Sequence, residues 1–282
     1  MRSFVFILAA GAAFAQAPVV KSTVDKAYDL LTQATQDSNP AKRVEALVAM
    51  GVVHPDAKSV PLVEGMLDDK DYGTRQAACS ALGEMKSRAS IPKLREALDD
   101  KAPEVVFAAA RALYTMNDPA GRAVLAAVLT GDRPDSSGLI SSSMRDAKLK
   151  LHDPKALILI GVNQSAGLLG PFGVSVPIAE MLMKDKEASA KTASILLLSN
   201  DTSESSKEAV RTALSDKNWT VRAAAARAAG NRDISAFFAD IVPMMDDKRE
   251  EVRYAASATV IRLKQAKPHP QQLRKPGPKA LG

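Results

Sequence analysis

The side chains that could carry chemistry in this chain form a short set. Three carboxylate pairs, Asp68-Asp69, Asp99-Asp100 and Asp246-Asp247, invite an acid–base or calcium reading. A catalytic pair, however, needs two unlike surroundings to separate its pKa values, and these pairs recur at equivalent places in a repeat. Recurrence points to helix capping. His54, His152 and His269 have no metal-ligand companion at helical spacing, and two of them, His54 and His152, sit in corresponding turns beside a proline. Cys79 falls on an apolar stripe, where a thiol is a small core residue and not an activated nucleophile. The segment Gly167-Leu168-Leu169-Gly170-Pro171-Phe172-Gly173 has no following Lys-Ser or Lys-Thr and no preceding strand, so it is not a phosphate loop. The expectation is a non-catalytic chain with no metal and no cofactor.

These residues are positioned by a repeat. Asp69, Asp100, Asp132, Asp185, Asp216 and Asp247 each precede Lys or Arg and are spaced by 31, 32, 53, 31 and 31 residues, so one unit is enlarged. Within each period the next helix begins with the same apolar spacing, counted from Arg43, Arg75, Val106, Lys191, Arg222 and Arg253. Three residues on stand Ala46, Ala78, Ala109, Ser194, Ala225 and Ala256, all small. Six and seven residues on stand Ala49-Met50, Ala81-Leu82, Ala112-Leu113, Leu197-Leu198, Ala228-Ala229 and Thr259-Val260, which completes an i, i+3, i+4 stripe on one face. Small residues on that stripe let neighbouring helices approach closely.

Each such helix ends in a polar turn, for example Val53-His54-Pro55-Asp56, Asn117-Asp118-Pro119 or Ser199-Asn200-Asp201. Aspartate there can accept from the free amides of a second helix, and proline suits the first helical position because it has no hydrogen to donate. Second helices carry Val60, Val63 and Leu67, or Ile91, Leu94 and Leu98, at helical spacing. The unit is helix, tight turn, helix, aspartate turn.

The segments Thr74-Arg75-Gln76-Ala77-Ala78-Cys79-Ser80-Ala81-Leu82-Gly83, Val221-Arg222-Ala223-Ala224-Ala225-Ala226-Arg227-Ala228-Ala229-Gly230 and Val252-Arg253-Tyr254-Ala255-Ala256 resemble the short bacterial HEAT-like repeat of the phycobilisome-lyase-type group. The resemblance covers about residues 39–266. It implies an all-α, armadillo-like α-solenoid, a right-handed α-α superhelix of about six helical hairpins with one enlarged. It also implies a structural ladder of Asp69, Asp100, Asp216 and Asp247 with Arg75, Arg222 and Arg253, interrupted where Val106 and Lys191 replace arginine. An elongated, curved rod is expected.

Composition suits such a fold: 46% hydrophobic and 25% charged residues supply a core, and only 4% aromatics favour close-packed helices over sheets. With a single cysteine no internal disulfide can form, so packing must hold the fold. Residues 1–15 read as a signal peptide, with Arg2 as the basic start, Phe4 to Phe14 apolar and Ala13-Phe14-Ala15 as the cleavage site. Export to the periplasm or the cell exterior is expected. A capping helix is expected over 16–38, with repeats over 39–132, the enlarged unit over 133–185, further repeats and a C-terminal cap over 186–266, and a flexible basic tail over 267–282.

The net charge of +6 belongs to the C-terminus, where Arg262, Lys264, Lys267, Arg274, Lys275 and Lys279 face no acid. Setting aside those six and Arg2 from the 38 basic residues leaves 31 against 32 acidic ones, which excludes the basic stripe that a nucleic-acid binder needs. No later segment is long and apolar enough to span a bilayer, although the tail can touch an anionic surface weakly. In the enlarged unit, Leu168, Leu169 and Phe172 have two readings: they fill a kink beneath their loop, or they protrude to contact a partner. The expected function is an exported scaffold that binds a protein or peptide. The alternative is a HEAT-like lyase or chromophore- or ligand-handling protein.

Overall fold

The computed structural model describes residues 21–130, 186–201, 203–231 and 235–266. In chain order its helices are α1 (Thr23–Thr35), α2 (Pro40–Met50), α3 (Ser59–Glu64), α4 (Tyr72–Met85), α5 (Ile91–Glu96), α6 (Pro103–Thr115), α7 (Pro119–Thr130), α8 (Lys186–Leu198), α9 (Glu204–Ala213), α10 (Trp219–Asn231), α11 (Phe238–Ile241) and α12 (Glu250–Gln265). Among the described residues there is no strand, and the fold is an all-α solenoid of helical hairpins. The even-numbered helices from α2 to α12 are first helices, and α3, α5, α7, α9 and α11 are second helices. Three of the second helices are one to two turns long, and α3, α5 and α11 run on as tighter 3-10 turns, Gly65–Asp68, Ala97–Asp99 and Val242–Asp246.

Local signals set these boundaries. Ser22 Oγ accepts from the Asp25 amide at 3.1 Å, Asn39 from Ala41 at 3.0 Å and Asp71 from Thr74 at 2.8 Å, each satisfying an amide that a first helical turn leaves free. At the other end of α4 and α6 the chain turns through left-handed residues, Lys86 with φ 56° and Asn117 with φ 63°. The Ser87 amide donates to the Leu82 carbonyl at 3.0 Å and the Asp118 amide to Leu113 at 2.9 Å, so both ends close in the same six-residue loop.

The stripe read from the sequence is the core. Ala46, Ala78, Ala109, Ala225 and Ala256 are buried, as are Met50, Leu82, Leu113, Ala229 and Val260. Approach is close enough that a Cβ at Gly83 would lie 2.9 Å from the Ala112 Cα, and one at Gly121 would lie 2.5 Å from the Tyr114 nitrogen. The stripe fails in α8: Ser194 is exposed and Leu197 is 84% exposed. Residues 131–185, which precede α8 and include Asp132 and Asp185, lie outside the described residues.

The expectation of an open rod is overturned. Helix α12 packs against α10 on one side and against both α1 and α2 on the other, so the first and last described helices meet. Arg262 and Lys264 accordingly belong to the fold and not to a basic tail. Arg262 Nη1 donates to the Val52 carbonyl at 2.6 Å, and Lys264 Nζ lies 4.4 Å from the centre of the Phe238 ring. Closure leaves α12 covered nearly all round, with Val252, Tyr254 to Ile261 and Leu263 all buried.

Candidate interaction surface

Along one edge of the array the aspartate turns and the first helices are tied by one recurring bond set. Arg75 donates through Nε and Nη2 to Asp100 at 2.7 and 2.8 Å, while its Nη1 donates to the Asp69 and Lys70 carbonyls at 2.8 and 3.4 Å. Arg222 repeats this on Asp247 at 2.9 Å and on the Asp216 and Lys217 carbonyls. Arg253 reaches the Asp247 and Lys248 carbonyls at 2.9 and 3.3 Å. Each aspartate also accepts from the amide two residues on: Asp69 from Asp71, Asp100 from Ala102, Asp216 from Asn218 and Asp247 from Arg249, all at 2.8 Å. One guanidinium thus closes its own turn and grips the next.

Two members of the ladder differ from expectation. Arg43 belongs to it, with Nη2 2.7 Å from Asp69 and Nη1 on the Asp37 and Ser38 carbonyls. Lys191 does not interrupt it, since its Nζ reaches Asp216 at 3.0 Å, because a lysine stem has the length though not the fork. Val106 is buried in α6. Burial by itself would raise the Asp100 and Asp247 carboxyls, but the Arg75 and Arg222 guanidiniums and the turn amides outweigh it and hold both below the ordinary value. Asp216 is likewise low, with burial outweighed by the Asn218 amide and Lys191.

In the paired carboxylates only the second member is in the ladder; Asp68, Asp99 and Asp246 are exposed. Cys79 is fully buried, and burial pushes its thiol up to about 12. His54 is part-buried in the turn after α2, where its backbone amide meets Gln265 at 3.0 Å. His152, His269, Leu168, Leu169 and Phe172 lie outside the described residues. Among the described residues no group of three or more His, Cys, Asp or Glu could hold a metal ion, and no helix is long and apolar enough to cross a membrane.

Sequence reading missed a charged contact between the first helices. Arg227 of α10 lies 3.9 Å from Glu84 of α4, with 11% of its side chain exposed. Burial lowers its pKa against the opposing pull of Glu84 and Glu45. No period links α4 to α10, so only folding brings these residues together.

The second helices face outward. Lys93, Arg95 and Glu96 of α5 and Glu208 and Arg211 of α9 are exposed. Ion pairs join successive units here: Lys93 to Glu64 at 2.9 Å, Arg95 to Asp118 at 2.7 Å and Arg211 to Asp240 at 3.1 Å. Among the described residues, Tyr72, Tyr114 and Leu197 are exposed large apolar side chains.

A stack of helical hairpins, each burying its apolar face against its neighbours, defines an α-helical repeat protein. The model of the HEAT-repeat family matches residues 27–113, 59–137 and 176–262, more than half of the chain, and the chain belongs to that family. No curated protein matches it. Among solved structures it is similar to human deoxyhypusine hydroxylase in complex with glycerol, at 18% identity over 84% of each chain and a TM-score of 0.31. It is also similar to the complex of CpcE and CpcF of phycocyanin lyase from Nostoc sp. PCC7120, at 18% identity over 92% of this chain and 98% of that one, with a TM-score of 0.33.

Proposed function

We infer that this HEAT-repeat chain is an exported, non-catalytic scaffold in the periplasm or outside the cell, which binds a protein or peptide along the outer face of its second helices. The observation that supports this reading is the distribution of burial. First helices such as α12 are enclosed on nearly all sides, whereas the second helices α5 and α9 present charged, exposed faces at corresponding places in their own units. Such a face suits a partner with complementary charge, and rim charges of this kind set the rate and register of association more than its strength. The leader-like residues 1–15 support export.

The test uses the purified chain as bait in envelope extracts with cross-linking, beside a variant carrying Glu96→Lys and Glu208→Lys. The expected result is a partner recovered by the native chain and weakened by the variant at an unchanged melting temperature. Recovery of nothing above background, or a purified chain that carries a bound pigment, would count against the reading. N-terminal sequencing of the envelope form is expected to begin near Gln16, and an intact Met1 start in the cytoplasmic fraction would remove export.

A further inference from the structure

We propose that α1 and α12 are the two halves of one split repeat, which is completed when these two helices pack together. The register of the aspartate turns carries the assignment. Asp37 accepts from the Asn39 amide at 2.8 Å, the same bond that Asp69, Asp100, Asp216 and Asp247 make two residues on. Asp56, Asp118 and Asp201 make that bond as well, in turns from a first helix to its second. At Asp37, however, the Asp37 and Ser38 carbonyls also accept from Arg43, as the Asp69, Asp216 and Asp247 turns accept from Arg75, Arg222 and Arg253. Among the described residues, every other turn gripped by an arginine in this way follows a second helix and leads into a first. Helix α1, which ends just before Asp37, therefore stands where a second helix stands. Helix α12 follows the Asp247 turn and carries Arg253 on the Asp247 carbonyl, which makes it a first helix.

Packing joins the halves. Helix α12 lies against α1 as α6 lies against its own second helix α7, and it also touches α2, though less extensively than α4 touches α6. The ends of the two halves also converge where a hairpin loop would sit. Gln265, the last residue of α12, holds His54 and Asp56, while Tyr28 near the start of α1 donates to Asp56 at 2.6 Å and Lys58 pairs with Asp25 at 3.1 Å. A regular rung would run from the arginine of this repeat to the aspartate after its second helix, hence from Arg253 to Asp37. At this joint Lys42 takes that place, 3.0 Å from Glu250 and 3.7 Å from Asp37. The composite unit buries apolar faces that an open array would leave bare at both ends, since a repeat cannot cover its own face. Ala27, Leu31 and Ala34 of α1 are buried together with Tyr254, Ala258 and Ile261 of α12.

Two measurements test the split repeat. Spin labels on cysteines at Lys26→Cys and Lys264→Cys, both exposed positions, report the distance between the halves in the whole chain. A single narrow, short distance is expected; a broad or long distribution, as in an open array, overturns closure. The second measurement is a circular permutant of residues 16–282, with residue 282 joined to residue 16 and new ends between Asn200 and Asp201. It is expected to melt in one transition no lower than the native chain, because the join links the two halves directly and shortens the loop that must close. A permutant that fails to melt cooperatively, where the native chain nicked at the same turn still does, overturns the assignment. If both cut forms fail, the label distance decides.

Discussion

Gln265 grips His54 by both ends of its amide, across 211 positions of sequence: Oε1 accepts from the His54 nitrogen at 3.0 Å and Nε2 donates to the His54 carbonyl at 3.2 Å. The same Nε2 also donates to Asp56. A side chain on the last helix thereby serves the backbone of the first tight turn, where no helical partner is available. Gln265→Ala removes these bonds across the joint, leaving Ser59 Oγ at 3.3 Å on the His54 carbonyl, and is expected to cost about 1–3 kcal/mol in urea unfolding. A loss no larger than that of an exposed control such as Lys86→Ala would mean that this joint contributes nothing.

The ladder makes a graded prediction. Arg75 and Asp100 have side chains 7% and 13% exposed, so Arg75→Ala strands a nearly buried carboxylate and is expected to cost about 3–5 kcal/mol. Arg75→Lys keeps the charge but loses the two-pronged grip and the hold on the Asp69 carbonyl, and should fall between the two. In the reverse direction, Lys191→Arg restores the fork opposite Asp216 and should raise the melting temperature slightly. Chemical unfolding of the three variants gives the order directly.

Acid should dismantle the same ladder. Asp100, Asp216 and Asp247 have folded pKa values below the ordinary 3.8, so the stability they contribute is complete above that value and is lost as pH falls through the lower folded values. Melting temperature is therefore expected to be flat in this respect from neutrality down to about pH 5 and to fall steeply below about pH 4. Asp100→Asn should weaken the chain at neutral pH and flatten that acid limb. An unchanged limb would locate the acid sensitivity elsewhere.

Packing between first helices predicts opposite signs of the same failure. Leu82 is fully buried, and Leu82→Ala is expected to cost roughly 2–5 kcal/mol by opening a cavity. Gly83→Ala adds a methyl where the Ala112 backbone already stands 2.9 Å away, and is expected to cost about 1–3 kcal/mol despite the better helix propensity of alanine. Lys275→Ala, in the basic C-terminal segment, should cost close to nothing. Equal melting temperatures for the Leu82 and Lys275 variants would show the register to be wrong.

Cys79 should be silent to thiol reagents in the native state. It is fully buried with its thiol raised to about 12, so almost no thiolate exists at neutral pH and no path leads to it. Labelling is expected only with denaturant, at a rate that follows global unfolding. Rapid labelling of the folded chain would expose an opening between α4 and its neighbours.

The repeat is legible because a helix records burial locally. The recurrence of Ala46, Ala78, Ala109, Ala225 and Ala256 three residues after the ladder position fixes which face is buried. The aspartates at 31- or 32-residue spacing fix where each unit begins. The ladder, Arg75 with Asp100 among its members, was implied by the resemblance to the HEAT-like repeat and not by spacing. Arg43 was open to the same argument, and the lysine stem of Lys191 explains why a departure from arginine did not break the pattern.

What no period encodes is curvature. Each hairpin turns slightly on the last, and whether the sum closes depends on the small angles at every interface, not on any one residue type. The meeting of Arg227 with Glu84, of Lys42 with Glu250 and of Gln265 with His54 therefore exists only once the whole array is folded. The sequence determined the unit, its buried face and its caps, because those depend on neighbours a few residues or one repeat away. Only the tertiary structure decided that the last helix returns to the first, because that contact is the accumulated result of every packing angle between them.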